Sequence, residues 1–243
     1  MQEIQAKFGV VPVVTKMVLL NTQTHRNLKI QAGPSAKFGD NSRYVSVVLS
    51  EFPFLVPHYP IFFSKDPETG AFLCGALLGF DEGENLFLDD PAGLDSYRPL
   101  NLQRGPFYAV GSEVAIDFDS PRVGGETGTS LFTDTGESTP YLESIVAAMA
   151  ELRHGMVMTG VFIDTLLKLK LIEPVKLSLE FDDGLTRELQ GLYTIDKEAL
   201  ADLADADIVE LFRRGYLHLI YLMIASLKQI RVMAQKKNRR LAE

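Results

Sequence analysis

The segment Ile116-Asp-Phe-Asp-Ser-Pro-Arg122 gathers two carboxylates and a guanidinium in one short stretch. In an extended strand, side chains two positions apart share a face, so Asp117 and Asp119 project together, and the Ser120-Pro121 corner is placed to turn Arg122 back toward them. Two chemistries follow. The cluster can bind a cationic or amide-rich ligand or act as an acid–base pair, or it can be an Arg–carboxylate clasp that holds a loop. The clasp is the expected one.

A second polar group precedes it. Asp81, Glu82, Glu84 and Asn85 lie on a turn before Leu86-Phe-Leu, with Asp89-Asp90 just after. Oxygen donors are dense there but lack EF-hand spacing, so no metal is assigned. Rings alternate with prolines through Glu51-Phe-Pro-Phe-Leu-Val-Pro-His-Tyr-Pro-Ile-Phe-Phe, and Tyr97 and Phe107 add two more. Rigid aromatic surfaces bind peptides with little loss of side-chain entropy. Most of these rings are expected in the core; two or three exposed beside the acidic turn make a groove for an extended, basic or polar peptide. The candidate binding residues are therefore Tyr59, Glu84, Asn85, Tyr97, Asp117, Asp119 and Arg122.

No complete catalytic set accompanies them. Asp134-Thr-Gly136 has the aspartic-protease tripeptide, but that chemistry needs two aspartates sharing a proton and only one copy is present. A polar turn feeding a helix cap explains it. Gly124-Gly-Glu-Thr-Gly-Thr-Ser130 has the glycine of a phosphate loop without its lysine. There is no Gly-x-Ser-x-Gly elbow and no His-Glu-x-x-His. The four histidines, His25, His58, His154 and His218, are scattered. Cys74 is the only cysteine and sits in an apolar run, which predicts burial and an inert thiol. No cofactor is assigned.

The elements that must position these groups read as an α+β protein. Short apolar runs from Tyr44 to about Phe132, cut by Pro, Gly and Asp, predict strands at Tyr44–Leu49, Ile61–Phe63, Ala71–Phe80 and Leu86–Leu88, with Asp66-Pro-Glu-Thr-Gly70 as a hairpin turn. Pro53, Pro57 and Pro60 put their stretch at an edge or outside the sheet. Ser138-Thr139-Pro140 starts a helix. Apolar residues then step by three and four from Leu142 to Leu166, and Glu173-Pro174 is expected to stop it. Alternation around Asp182-Asp183-Gly184 predicts a hairpin. Helices follow at Asp196–Leu200, Asp207–Arg214 and Tyr216 to about Gln235, with Gly215 a junction. The result is a β-rich N-terminal half, a long central helix, a hairpin and a helical C-terminus.

The chain has 243 residues, is 46% apolar and 23% charged, and carries a net charge of −8. That balance disfavours nucleic acid and anionic membrane surfaces as partners. The basic run Lys236-Lys-Asn-Arg-Arg240 reads as a solvated helix end. Glu3 and Thr15-Lys16 interrupt the apolar N-terminal stretch, which fits a secretory signal badly. The longest other apolar run falls short of the roughly 20 residues that cross a bilayer. A cytoplasmic protein without a membrane span is expected.

Taken in order, the ring-and-proline stretch from Glu51, Gly79-Phe-Asp-Glu-Gly-Glu-Asn-Leu-Phe87, Ile116 to Arg122 and Ser138-Thr-Pro-Tyr-Leu142 resemble the SapC-like family of bacterial proteins, named for an association with surface (S-) layers. The similarity runs from about His25 to about Lys228. It implies a single SapC-like domain over residues 1–243, with a subdivision into 1–137 and 138–243 as the alternative. It also places an Asp-rich turn before the long helix, which supports the plain reading of Asp134-Thr-Gly136. The expected function is a non-catalytic accessory protein that binds a protein or peptide partner through the aromatic and acidic surface of the N-terminal half. Two alternatives stay open. One is a hydrolase acting on peptide or surface-polymer bonds and using Asp117 or Asp119 with His25 or His58; the other is a structural subunit that homodimerises through the long helix.

Overall fold

The computed structural model describes residues 16–88 and 97–242; the predicted features at Glu3, Phe8–Val14 and Asp89-Asp90 lie outside them. Among the described residues, ten strands and eight α-helices follow one another. Their order is β1 (Met17–Leu19), α1 (Thr22–His25), β2 (Lys29–Ile30), β3 (Tyr44–Ser46), α2 (Phe52–Leu55), β4 (Ile61–Lys65), β5 (Phe72–Leu77), α3 (Leu100–Gln103), β6 (Phe107–Val110), β7 (Glu113–Asp117), β8 (Thr129–Ser130) and α4 (Pro140–Lys168). Then come β9 (Ile172–Glu180), β10 (Thr186–Ile195), α5 (Lys197–Ala201), α6 (Asp205–Arg213), α7 (Tyr216–Ser226) and α8 (Gln229–Leu241). The architecture is α+β as expected, with the long helix at its centre.

Three antiparallel sheets form. The largest has the order β3-β5-β4-β10-β9, a second is β1-β7-β6, and a short third is β2-β8. Because β4 pairs with β10, a cut at residue 137 would split the main sheet between the two pieces. Alternation puts Ile61 and Phe63 on one face of that sheet and Phe62 on the other. The first face packs under the C-terminal half of α4 and under α7, through Phe162, Ile163, Leu166, Ile220 and Met223. The opposite face takes Met233 of α8 together with Phe80 and Leu86. The predicted single helix from Tyr216 to Gln235 is thus two. A break at Leu227-Lys228 lets one segment cover one face of the sheet and the next cover the other.

The N-terminal half of α4 packs elsewhere. Leu142, Ile145 and Met149 join Ile30, Phe107, Ile116 and Leu131 over the smaller sheet. One helix therefore spans two cores. It starts where the sequence predicts, with the Thr139 hydroxyl accepting from the Leu142 amide and Pro140 in the first turn. It ends earlier than expected, at Lys168, and Pro174 lies inside β9 instead of stopping the helix. As β9 is an edge strand, a missing amide there costs no ladder bond. Leu86–Leu88 is also not a strand; it is a turn whose Leu86 plugs the core.

α4 and the stretch after β3 approach closely at one glycine. A Cβ on Gly155 would sit 2.6 Å from Val48 Cβ, whereas a Cβ on Gly160, five residues further, would meet nothing within 4 Å. The two positions should respond oppositely to alanine. Gly155→Ala is expected to destabilise by about 1–3 kcal/mol through overpacking. Gly160→Ala is expected to stabilise by roughly 0.5–1 kcal/mol through helix propensity. Urea unfolding of both variants checks the pair, and equal midpoints would refute the close approach.

Two helical stretches, Pro140–Lys168 and Tyr216–Leu241, are long and apolar enough to cross a membrane by length and composition. In α4 that apolarity has a packing use, since Leu142, Ile145, Met149, Leu152, Phe162 and Leu166 are all buried in the interior.

Candidate functional site: a cleft along the central helix

The residues picked out in the sequence are mostly knitted into the interior. Arg122 is buried and does not return to Asp117 or Asp119. Its guanidinium donates to Asp40 Oδ2 at 2.5 Å and to the carbonyls of Gln31 and Gly33 at 2.9 Å each, with the Phe38 ring beneath it. Asp40 also accepts from Arg98 and from the Ser35 amide. Asn85 donates to the Asp40 carbonyl at 2.8 Å. The Arg–carboxylate clasp exists, but its acid lies 82 residues away in sequence. Asp117 Oδ1 instead accepts from the Asp119 amide at 3.1 Å, closing the turn that ends β7. A lone aspartate after Gly39 carries no motif, so nothing local marks Asp40 as the centre of this network.

Tyr59 and Tyr97 come together around a second buried acid that the sequence reading missed. The Tyr59 hydroxyl donates to the Tyr97 carbonyl at 3.0 Å, and the Tyr97 hydroxyl donates to Glu51 Oε1 at 3.3 Å. Glu51 is 1% exposed and also accepts from the Leu100 and Val48 amides, at 2.8 and 2.9 Å. It ties α3 to the turn before α2. Burial raises the Glu51 carboxyl above its ordinary range, against the lowering effect of those hydrogen bonds. A folded-state pKa above the unfolded one means that this group's contribution is fully present below the unfolded value and is lost as pH rises through the folded one. Glu51→Gln is expected to destabilise by about 1–3 kcal/mol, because an amide N–H₂ must then face a donating amide. It is also expected to flatten the fall in stability across that pH window. A slope identical to wild type in urea titrations at several pH values would reject this assignment.

The acidic turn meets cations of the same chain. Lys237 of α8 donates to Asp81 Oδ2 at 2.7 Å and to Glu84 Oε1 at 2.5 Å; Arg187 of β10 contacts Asp81, and Arg43 pairs with Glu82. The Lys237 hydrogen bond leads the causes that lower the Asp81 carboxyl. Most of the rings are core, as expected, while Phe54 is 59% exposed and stacks on Tyr97. His25 accepts from the Asn21 amide and packs on Phe118, whereas His58 lies against Tyr59 and near Lys236. His25 thus stands beside the Asp117–Asp119 segment through Phe118, with its Nδ1 occupied by the Asn21 amide. Asp134-Thr-Gly136 is an exposed turn whose Asp134 carbonyl accepts from Arg26. Cys74 is buried, which pushes its thiol up and away from reactivity.

The concavity lies where α4 passes from one sheet to the other. A cleft of about 630 Å³ runs between α4 and the β3–β5 and β6 margins. One wall is α4 from Met149 to Leu167, roughly 27 Å at about 1.5 Å per residue. The other is built from Val47, Val48, Phe72, Leu73, Tyr108 and Ala109. Met156 and Leu167 are 42% and 41% exposed on it, and Gly160 opens into it. Four charged side chains mark its margins: Lys65, Arg104, Arg153 and Asp164. None of the seven residues singled out in the sequence lines this cleft. A weak signal was present, since Gly160 interrupts the run of good helix formers in α4, but a cleft needs two walls and the second comes from distant strands.

In volume and in its apolar lining the cleft falls in the range of small-molecule and side-chain pockets. Its thiol, Cys74, is buried, and no histidine is among the residues that line it. No curated protein and no solved structure matches the chain. Residues 20–233 match the sequence profile of SapC, from Leu20 just before α1 through Met233 of α8. Since the match takes in most of the chain, with the whole five-stranded sheet and all of the cleft lining, the chain belongs to the SapC family.

Proposed function

We propose that this SapC-family chain is a non-catalytic binding protein that takes a segment of a protein or peptide partner into the cleft along α4. The observation that carries the reading is the open, apolar cleft with Gly160 in its helical wall. A mid-helix glycine costs about 1 kcal/mol relative to alanine, and here neither a left-handed backbone nor a close neighbour calls for one. What it leaves is room. The buried positions of Asp117, Arg122 and Asn85 make them supports of the N-terminal half, so the partner surface moves from the acidic turn to the cleft. The family's surface-layer name makes an envelope or surface-layer protein the first partner to try.

Gly160→Phe places a ring in the cleft without a backbone clash. Photo-cross-linking from position 156 in source cells is expected to give a discrete protein adduct that Gly160→Phe abolishes, with circular dichroism unchanged. Persistence of the adduct in that folded variant would reject the cleft as the site. Adducts formed only between copies of this chain, with a dimer in light scattering, would favour pairing through the exposed Val146, Val157 and Val161 stripe of α4.

A further inference from the structure

Resting on that reading, we infer that the segment taken into the cleft is acidic: an amphipathic stretch with apolar side chains on one side and carboxylates along its margins. The argument is one of charge. The chain as a whole is −8, yet the cleft is lined by three cations, Lys65, Arg104 and Arg153, against a single anion, Asp164. A local excess opposite in sign to the net charge is a complementary surface for an anionic partner.

The cations are also available. Arg153 makes no hydrogen bond or ion pair among the described residues, and it stands on the exposed side of α4. Lys65 Nζ lies over the Phe72 and Tyr193 rings at 4.9 and 5.2 Å, contacts that orient the ammonium without neutralising it. Arg104 donates to Asn101 Oδ1 and the Phe107 carbonyl and rests on the Tyr108 ring, which holds its plane and leaves further N–H groups for a carboxylate. Arg153 lies one turn from Met149 on the helical wall, while Lys65 and Arg104 come from the facing strands and α3, so cations flank the apolar floor from both walls. Because that floor is half-open and follows a helix, the helix-in-groove mode fits it.

The test uses the full chain and two fluorescein-labelled helical peptides that share one leucine face. One carries glutamate on its other positions, the second lysine. In anisotropy titrations the glutamate peptide is expected to bind at least about tenfold more tightly. That preference is expected to shrink as salt rises from about 0.05 to about 0.5 M. The paired exposed substitutions Lys65→Glu and Arg153→Glu should invert it, Lys65→Gln with Arg153→Gln should erase it, and Gly160→Phe should weaken both peptides. Equal binding, or a preference for the lysine peptide, overturns the acidic assignment; if Gly160→Phe still weakens both, the cleft reading survives. No binding of either peptide up to about 1 mM overturns both. Saturable binding of anionic phospholipid vesicles, blocked by Gly160→Phe and without peptide binding, overturns the peptide class in favour of lipid.

Discussion

Asp40→Ala is expected to lower unfolding free energy by about 3–5 kcal/mol, because it strands the Arg122 guanidinium in the interior without its counter-charge. Arg122 is 4% exposed, and its remaining hydrogen bonds go to the neutral carbonyls of Gln31 and Gly33. Arg98 would be left as a second cation beside it, with its own Nε already buried and unpartnered. The pair itself is no large net gain, since desolvation offsets most of the attraction. The asymmetry makes the test sharp: Asp40→Ala combined with Arg122→Ala should cost clearly less than the sum of the two single changes. Urea unfolding of the three variants measures this, and additive losses would show that the two groups act independently.

Phe162→Ala is expected to cost a similar amount, about 3–5 kcal/mol, for a different reason. The ring is fully buried where α4, α7 and the main sheet meet; it is edge-on to Tyr216 at 5.1 Å and tilted on Phe63 at 6.5 Å. Truncation opens a cavity among side chains fixed on three elements, so collapse around it is limited. Phe54→Ala is the control. That ring is 59% exposed and rests on Tyr97 alone among the aromatic contacts, so its loss should stay below about 1 kcal/mol. Comparable losses for the two phenylalanines in calorimetry would contradict the arrangement of the core.

Elements governed by neighbours in sequence were legible. The hairpin of β9 and β10 follows from period-two alternation around Asp182-Asp183-Gly184, and the first turn of α4 from a capping hydroxyl followed by proline. The end of α4 was not. Pro174 is a helix stop only if the helix reaches it, and burial of Leu171 against the core ends the helix sooner, with Lys170 in a left-handed conformation. The split of α7 from α8 was equally hidden, because both segments are good helix formers and only the need to cover two sheet faces breaks them. At the candidate site, residue types did not disclose their partners. Carboxylates and rings that read as a binding surface were solved internally by partners far along the chain: Asp40 for Arg122, Glu51 for Tyr97, Lys237 for Glu84.

The amino-acid sequence by itself determined the class of fold, the family resemblance, the inert cysteine and the acidic balance, since these depend on composition and on patterns a few residues long. Tertiary structure alone decided where the cleft lies and which charges line it. A cavity and an ion pair are properties of distances between remote segments, and local spacing does not encode those distances.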